Sequence, residues 1–303
     1  MTALKGFPHD MVNHLESKFG QFVGLEALKG VVSAASSACK LQFLQGSAVI
    51  KSSFRPRERL FYERYANTLR KHGVPLAELY WSGTDTCQKN WIALEDIPNV
   101  FPQDQWRNNP IQIQVLYNLH SYTRDPSQSR SFNDEDIWYR PKWDENLTHR
   151  ACSWYAGTAQ MAEVKNLLFN VQEHSQVLFK PDSWLSGDPN PTNWRIRTHG
   201  ELVLLDWERF CRGNPAIDLA ITMPTLDTKD LSWETNIAKH YKGFEGKHDI
   251  LPSSTDLAFQ IRLAKIWTMV EFIANAVQDE EHYSKETIAS ILEKLPNFLR
   301  SLL

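Results

Sequence analysis

Apolar positions change period along this chain of 303 residues, and the change sets the elements it predicts. Residues 10–23 carry Met11, Val12, Leu15, Phe19 and Phe22 at mixed spacing, which predicts a short helix ahead of the first strand. From Leu25 to Ser53 the pattern is strand-like. Gln45-Gly46 reads as a hairpin turn joining Cys39–Leu44 to Ser47–Lys51. That register sets Lys40 opposite Lys51, two like charges that a phosphate between them would reconcile. Residues 54–73 read as a helix, with Pro56 near its start, Gly73 after its end, and Leu60, Phe61, Ala66 and Leu69 on its apolar side. Strands within 74–83 and 90–98 complete a five-stranded sheet, and the boundary to a second lobe falls near residue 98.

Beyond that boundary the period is helical. Ile111, Ile113, Val115, Leu116 and Leu119 mark a helix over 110–122, in which His120 is read as a core or interhelix hydrogen-bonding group. Residues 123–148 are polar and irregular, and helical runs follow at 148–174, 216–226, 233–243, 255–278 and 284–302. Trp154, Trp233, Trp267 and Phe272 belong to amphipathic patterns and are assigned to the core.

Between two of these runs lies a stretch of different character, from Trp184 to Glu208. Pro189 and Pro191 push Asp188 and Asn190 out of helical backbone and into a stiff loop. Trp194–Arg197 and Leu202–Leu205 then read as short strands about a two-residue turn at His199-Gly200. Symmetric pairing about that turn puts Asn193 opposite Asp206, and it puts Trp194 and Ile196 on one face with Val203 and Leu205. Directly opposed side chains stand about 4.5–5.5 Å apart at Cβ, so an amide oxygen and a carboxylate could share one Mg²⁺, an ion that takes few carboxylates and leaves positions for water and phosphate.

These motifs resemble those of the aminoglycoside phosphotransferase and choline kinase family, small-molecule kinases with a protein-kinase-like fold. The resemblance rests on Ser186-Gly187-Asp188 through Asn193, then Asp206-Trp207-Glu208, then Pro215-Ala216-Ile217-Asp218-Leu219-Ala220, in order and at fitting spacing. It implies an α+β, bilobal architecture: a nucleotide-binding lobe over 1–97, with a small sheet and one main helix, and a mostly helical catalytic and substrate-binding lobe over 98–303. It also implies roles. Asp188 is the catalytic acid/base group, Asn193 and Asp206 hold Mg²⁺, Lys51 reaches the phosphates of ATP or GTP, and Glu58, with Glu63 as the second candidate, pairs with Lys51. Gly30 and Ser33 fall where the family has its phosphate loop, Glu95 and Ile97 where its hinge meets the base, and Asp218 where an acid supports the catalytic loop. The departures are Ser186 in place of the usual histidine and a glycine-poor phosphate loop. Both leave open a nucleotide-binding pseudokinase of the same fold without turnover. Asp-Trp-Glu in place of Asp-Phe-Gly, with no Ala-Pro-Glu, speaks against a protein kinase.

Composition narrows the partners. A formal charge of −3 gives no basic footprint for nucleic acid. No apolar run approaches the ~20 residues of a membrane span, and the first residues lack a signal-peptide core. Cys39, Cys87, Cys152 and Cys211 are scattered without metal-site spacing, which fits reduced thiols and a cytoplasmic protein. The expected acceptor is a small cationic alcohol, such as an aminoglycoside or a choline-like amino-alcohol. Asp134, Glu135, Asp136, Asp144 and Glu145 alternate with Trp138, Tyr139 and Trp143, and Asp279, Glu280 and Glu281 add further acids. Carboxylates attract ammonium groups and aromatic faces bind them, so Asp136, Trp138 and Trp143 are the candidate substrate residues.

Overall fold

The computed structural model describes residues 6–28, 38–106, 108–122, 137–222, 232–245, 252–279 and 283–302. Gly30, Ser33, Asp134, Glu135, Asp136, Glu280 and Glu281 lie outside the described residues.

A helix, α1 (His9–Phe19), leads into β1 (Phe22–Ala27), β2 (Cys39–Phe43) and β3 (Gly46–Ser53). After α2 (Arg57–Arg64) and α3 (Ala66–Lys71) come β4 (Leu79–Thr84) and β5 (Asn90–Glu95), giving one antiparallel sheet of order β1-β2-β3-β5-β4. Strand alternation gives this sheet two distinct faces. Leu41, Phe43, Ala48, Ile50, Trp91 and Ala93 pack on one side with Met11 and Leu15 of α1. The opposite side carries Lys40, Val49, Lys51, Ile92 and Leu94, all lining a deep cleft. The 54–73 helix is two helices, interrupted at Tyr65, where φ is −116°.

The β2–β3 turn differs from the expected one. Phe43 pairs with Gly46, so the turn is Leu44-Gln45, and Lys40 lies opposite Val49 instead of Lys51. The like-charge conflict does not arise, and Lys40 forms an ion pair with Asp96 at 2.5 Å.

The helical part begins with α4 (Pro110–Tyr122), α5 (Glu145–Ser153) and α6 (Met161–His174) and continues, after the strands below, with α7 (Ala216–Ile221), α8 (Ser232–Gly243), α9 (Ser254–Ala276) and α10 (Lys285–Arg300). Asp144 caps α5 by accepting the Leu147 N–H, and Ser253 and Ser284 cap α9 and α10 in the same way. α9 is the central element. Its buried residues lie all around the helix, and α5, α7, α8 and α10 pack against it. The same continuous core takes in Leu60, Phe61, Tyr62 and Leu69 of α2 and α3.

Between α6 and α7 run β7 (Ser183–Leu185), β8 (Trp194–Ile196), β9 (Leu202–Leu204) and β10 (Cys211–Gly213), with β6 (Asn99–Val100) added at the edge of β8. The β8–β9 hairpin corrects the expected register by one residue. Trp194 faces Leu204 and Ile196 faces Leu202, because the loop has an extra residue and closes with Gly200 at φ +92°. Asn193 therefore lies across from Leu205, whose N–H it accepts at 2.8 Å, and not across from Asp206. Leu202 and Leu204, not Val203 and Leu205, share the face of Trp194 and Ile196.

Candidate active site

The cleft between the sheet and the helical part is where the motif residues meet. β7 pairs antiparallel with β10, which sets residues 186–188 against the backbone of Arg209. Gly187 has φ +78°, and a Cβ there would overlap the Arg209 carbonyl oxygen, so both conformation and space demand glycine. The two prolines then do what their spacing predicted. Asn190 accepts hydrogen bonds from the Thr192 N–H (3.1 Å) and hydroxyl (3.0 Å), Asn193 donates to the Asp188 carbonyl (2.9 Å), and the Trp194 indole donates to the Pro189 carbonyl (3.0 Å).

Asp218, at the start of α7, is completely buried. Its two carboxylate oxygens accept the N–H groups of Ser186 (2.8 Å) and Gly187 (2.9 Å). The loop is thus held through its backbone, and the side chain at 186 takes no part in that support. The Ser186 hydroxyl, also buried, accepts the Asp188 N–H at a long 3.4 Å.

Asp206 sits at φ +61°. That conformation is unusual for a residue other than glycine and is tolerated best by Asp and Asn. It turns the chain out of the β9 direction so that the carboxylate meets Lys51, whose ammonium lies 3.1 Å from Asp206 Oδ1 and 2.6 Å from Glu58 Oε2. Glu63 is elsewhere, bonded to Arg59 and Ser82. Burial opposes the Lys51 charge, but Glu58 and Asp206 outweigh it and hold the ammonium well above its ordinary pKa. Burial pushes the Glu58 carboxyl up, against the pull of Lys51.

Beneath this group the side chains stack. Trp207 lies flat on Phe61 at 4.2 Å between ring centroids, and Phe210 lies flat on Trp184 at 4.7 Å. Helix α2, the Asp206 segment and the strand leading to Asp188 therefore share one aromatic packing unit.

Burial raises the Asp188 carboxyl to about 6, with Arg209 opposing the rise and Asp206 adding to it. Arg209 is itself clamped by Glu271 at 2.6 Å and by the Tyr139 hydroxyl at 2.5 Å, with its guanidinium 4.1 Å from the Tyr139 ring centroid. Sequence reasoning missed this trio. Arg209 directly follows the Asp-Trp-Glu motif, a signal that was available, but Tyr139 and Glu271 meet it only through the tertiary fold.

The donor set suits a hard divalent cation. Asp206 and Asn193 both line the cleft, the Asn193 amide nitrogen is occupied by the Asp188 carbonyl, and its oxygen is left to act as a ligand. Among the described residues no group of three or more His, Cys, Asp or Glu could hold a metal alone. A two-ligand site completed by phosphate and water is the chemistry these residues fit.

Other expected residues fall differently. Glu95 and Ile97 line the cleft, but the Glu95 side chain is engaged with Arg197 at 2.6 Å. Trp138 and Trp143 are 3% exposed and do not line it. Trp138 packs edge-on to Phe210 and Tyr65, and the Trp143 indole donates to Thr148. Their faces are used by the core, so neither meets a ligand in the cleft. Phe272 packs against the core as expected and also lines the cleft beside Tyr283.

A family model of the phosphotransferase enzyme family matches residues 34–248. No curated protein matches the chain by sequence. Among solved structures, choline kinase LicA from Streptococcus pneumoniae is similar at 15% identity and TM-score 0.62, over 96% of this chain and 98% of that one. An ethanolamine kinase from Plasmodium vivax is similar at 15% identity and TM-score 0.62, over 97% and 86%. A thermostable aminoglycoside phosphotransferase APH(4)-Ia, in a ternary complex with ADP and hygromycin B, is similar at 15% identity and TM-score 0.60, over 96% and 98%. At these identities the likeness establishes a shared, protein-kinase-like fold. With the family model spanning well over half its length, the chain belongs to the phosphotransferase enzyme family.

Proposed function

We propose that the protein is a small-molecule kinase that transfers the γ-phosphoryl group of ATP or GTP to a hydroxyl of a small acceptor. The observation that carries this reading is the convergence of Lys51, Glu58, Asp188, Asn193 and Asp206 on one cleft. Lys51, held extended by Glu58, would position the triphosphate. Asn193 and Asp206 would hold Mg²⁺, which when bound neutralises the charge of the phosphate oxygens. Asp188, stiffened by its prolines and by Asp218, would orient the acceptor hydroxyl and take its proton. The backbone of Glu95 to Ile97 would meet the base edge. In this reading residues 1–97 carry the nucleotide and residues 98–303 the acceptor.

The acceptor we favour is a cationic alcohol. Support comes from Glu208, Phe272 and Tyr283, which line the cleft and offer one carboxylate and two aromatic rings. The kinases of similar fold whose names speak of choline, ethanolamine and an aminoglycoside point the same way. Mg²⁺-dependent ATP turnover against a panel of aminoglycosides, choline, ethanolamine, amino sugars and neutral sugars tests both levels. No turnover with any acceptor overturns the kinase reading. Turnover confined to neutral sugars overturns only the cation.

A further inference from the structure

Helix α9 turns one face to the cleft, and of that face only Phe272 enters the scheme above. Lys265, Thr268, Met269, Phe272 and Asn275 all line the cavity, and steps of three, four, seven and ten residues from Lys265 place them in one stripe. At the helical rise of about 1.5 Å per residue the stripe is roughly 15 Å long. Helices α7 and α10 pack against α9 and add Ala220, Ile221 and Ile291 to the same cavity. Tyr283 continues the wall, with its ring 4.9 Å from that of Phe272 between centroids.

The charged and hydroxyl groups on this face are already engaged. The Lys265 ammonium lies 3.6 Å from Glu234 Oε1, and both side chains are almost fully buried. The Thr268 hydroxyl donates to the Lys265 carbonyl at 2.8 Å, so its proton is spent on the helix itself. Glu271, which also lines the cavity, is bonded to Arg209. Met269, Phe272, Ile221 and Ile291 are left as an apolar groove, with the Asn275 amide at one end of the stripe and the neutralised Lys265–Glu234 pair at the other.

Two contacts tie this groove to the catalytic loop. Asp218, which holds the Ser186 and Gly187 N–H groups, stands two residues before Ala220 on α7. Arg209, whose carbonyl oxygen abuts Gly187, is bonded to Glu271, the residue before Phe272. Motif residues and groove share one cavity of about 1440 Å³, larger than the ~300–1,000 Å³ usual for a small-molecule site. An acceptor the size of choline would leave apolar walls against water, which is unfavourable in proportion to the area left wet.

We propose that the acceptor is an amphiphilic amino-alcohol, with its hydroxyl and cationic head at Asp188 and Glu208 and an apolar tail lying along α9 towards Lys265. The head rests on the kinase reading, the tail on the groove alone. The test is a chain-length series of ethanolamine and its N-butyl, N-hexyl and N-octyl derivatives, with alkyl glucosides of the same chain lengths beside it, all kept below the concentrations at which they self-associate. Calorimetry reads binding without turnover. The dissociation constant should fall up to roughly fourfold per buried methylene, and N-hexylethanolamine should bind at least roughly 100-fold more tightly than ethanolamine. Where turnover occurs, KM should fall in step with little change in kcat, as for binding remote from the reacting atoms.

Thr268→Trp fills the groove and Ile221→Asn makes it polar. In either variant the ratio of dissociation constants between the unsubstituted and N-hexyl compounds should collapse to within about tenfold of unity. If one variant does not fold, the other decides. Constants that do not change with chain length in either series, or a gain that survives in the folded variants, overturn the tail. A gain in the glucoside series alone overturns the cationic head and keeps the tail. Tighter binding along the series without turnover of any member sinks the kinase reading and leaves the groove assignment standing.

Discussion

The Lys51 ammonium bridges Glu58 and Asp206, joining β3, α2 and the segment after β9 at one point. The two carboxylates face each other across a single cation. Lys51→Met should weaken ATP binding by roughly tenfold or more and lower the thermal midpoint, because the carboxylates then repel unscreened. Glu58→Gln should reduce kcat, and Glu63→Gln should leave both ATP affinity and kcat unchanged. Calorimetric titration with ATP checks the first, and an unchanged dissociation constant in Lys51→Met would point to another phosphate ligand. Lys40 is not the favoured replacement, since its ammonium is spent on Asp96.

Asp188→Asn removes a base while keeping the size of the side chain. Turnover with any accepted substrate should fall about 10²–10⁴-fold, the usual value of a positioned acid or base. ATP affinity should stay near the parent value. Single-turnover kinetics check the assignment, and parent-like rates in the variant would remove Asp188 from the mechanism.

Asn193 and Asp206, the two metal ligands proposed above, should act together. Asn193→Ala or Asp206→Ala should raise the Mg²⁺ concentration needed for half-maximal rate, with the larger effect at the carboxylate. Asn193→Ala should add a loss at saturating metal, because its amide also holds the Asp188 carbonyl. A Mg²⁺ titration of rate separates the two, and no change in metal requirement for either variant would refute the two-ligand site.

What was legible in the sequence was local. Prolines, turn residues and spacing single out Asp188, Asn193 and Asp206, which the fold brings to one cleft, and alternation marks the five strands. The hairpin register was missed by one residue, because His199-Gly200 resembles a two-residue turn and only the closed loop shows that Thr198 belongs to it. The β2–β3 turn slipped for a similar reason. Gly46 looks like a turn glycine but begins β3. Trp138 and Trp143 were misread because aromatic residues among acids resemble a cation site, whereas tertiary packing consumes both rings. The buried hydrogen-bonded chain of Tyr241, His120 and Asp218, like the clamp on Arg209, joins residues too far apart for any periodicity to reveal.

Gly187→Ala should be among the most damaging single changes in the molecule. The backbone at φ +78° costs a residue with a Cβ about 1–3 kcal/mol, and the overlap with Arg209 must be relieved by moving the loop or β10. A lowered thermal midpoint together with loss of turnover is expected. Parent-like values in both would mean that the loop adjusts freely and that its geometry is not what sets Asp188.

The last prediction concerns acid. Glu95, at the end of β5, meets Arg197 beside the β8–β9 hairpin, and Arg197 also donates to the Leu76 carbonyl at 3.0 Å. Partial burial raises the Glu95 carboxyl, but hydrogen bonds from Arg197 and from the Glu78 N–H outweigh it, so the net shift is downward. A carboxylate whose pKa is depressed on folding contributes stability that is present above its unfolded pKa and lost as pH falls through the folded one. The contact joins the five-stranded sheet to the β8–β9 hairpin, so its loss should loosen the two against each other and not only lower the midpoint. Urea midpoints measured from neutral pH down through the carboxylate range should therefore fall less steeply in Glu95→Gln than in the parent, with the two curves converging at the acid end. Arg197→Met should give the same flattened profile with a lower plateau at neutral pH, since it leaves both Glu95 and Glu201 without their partner. Parallel curves for the parent and Glu95→Gln across the whole range would show that this pair adds nothing to acid sensitivity.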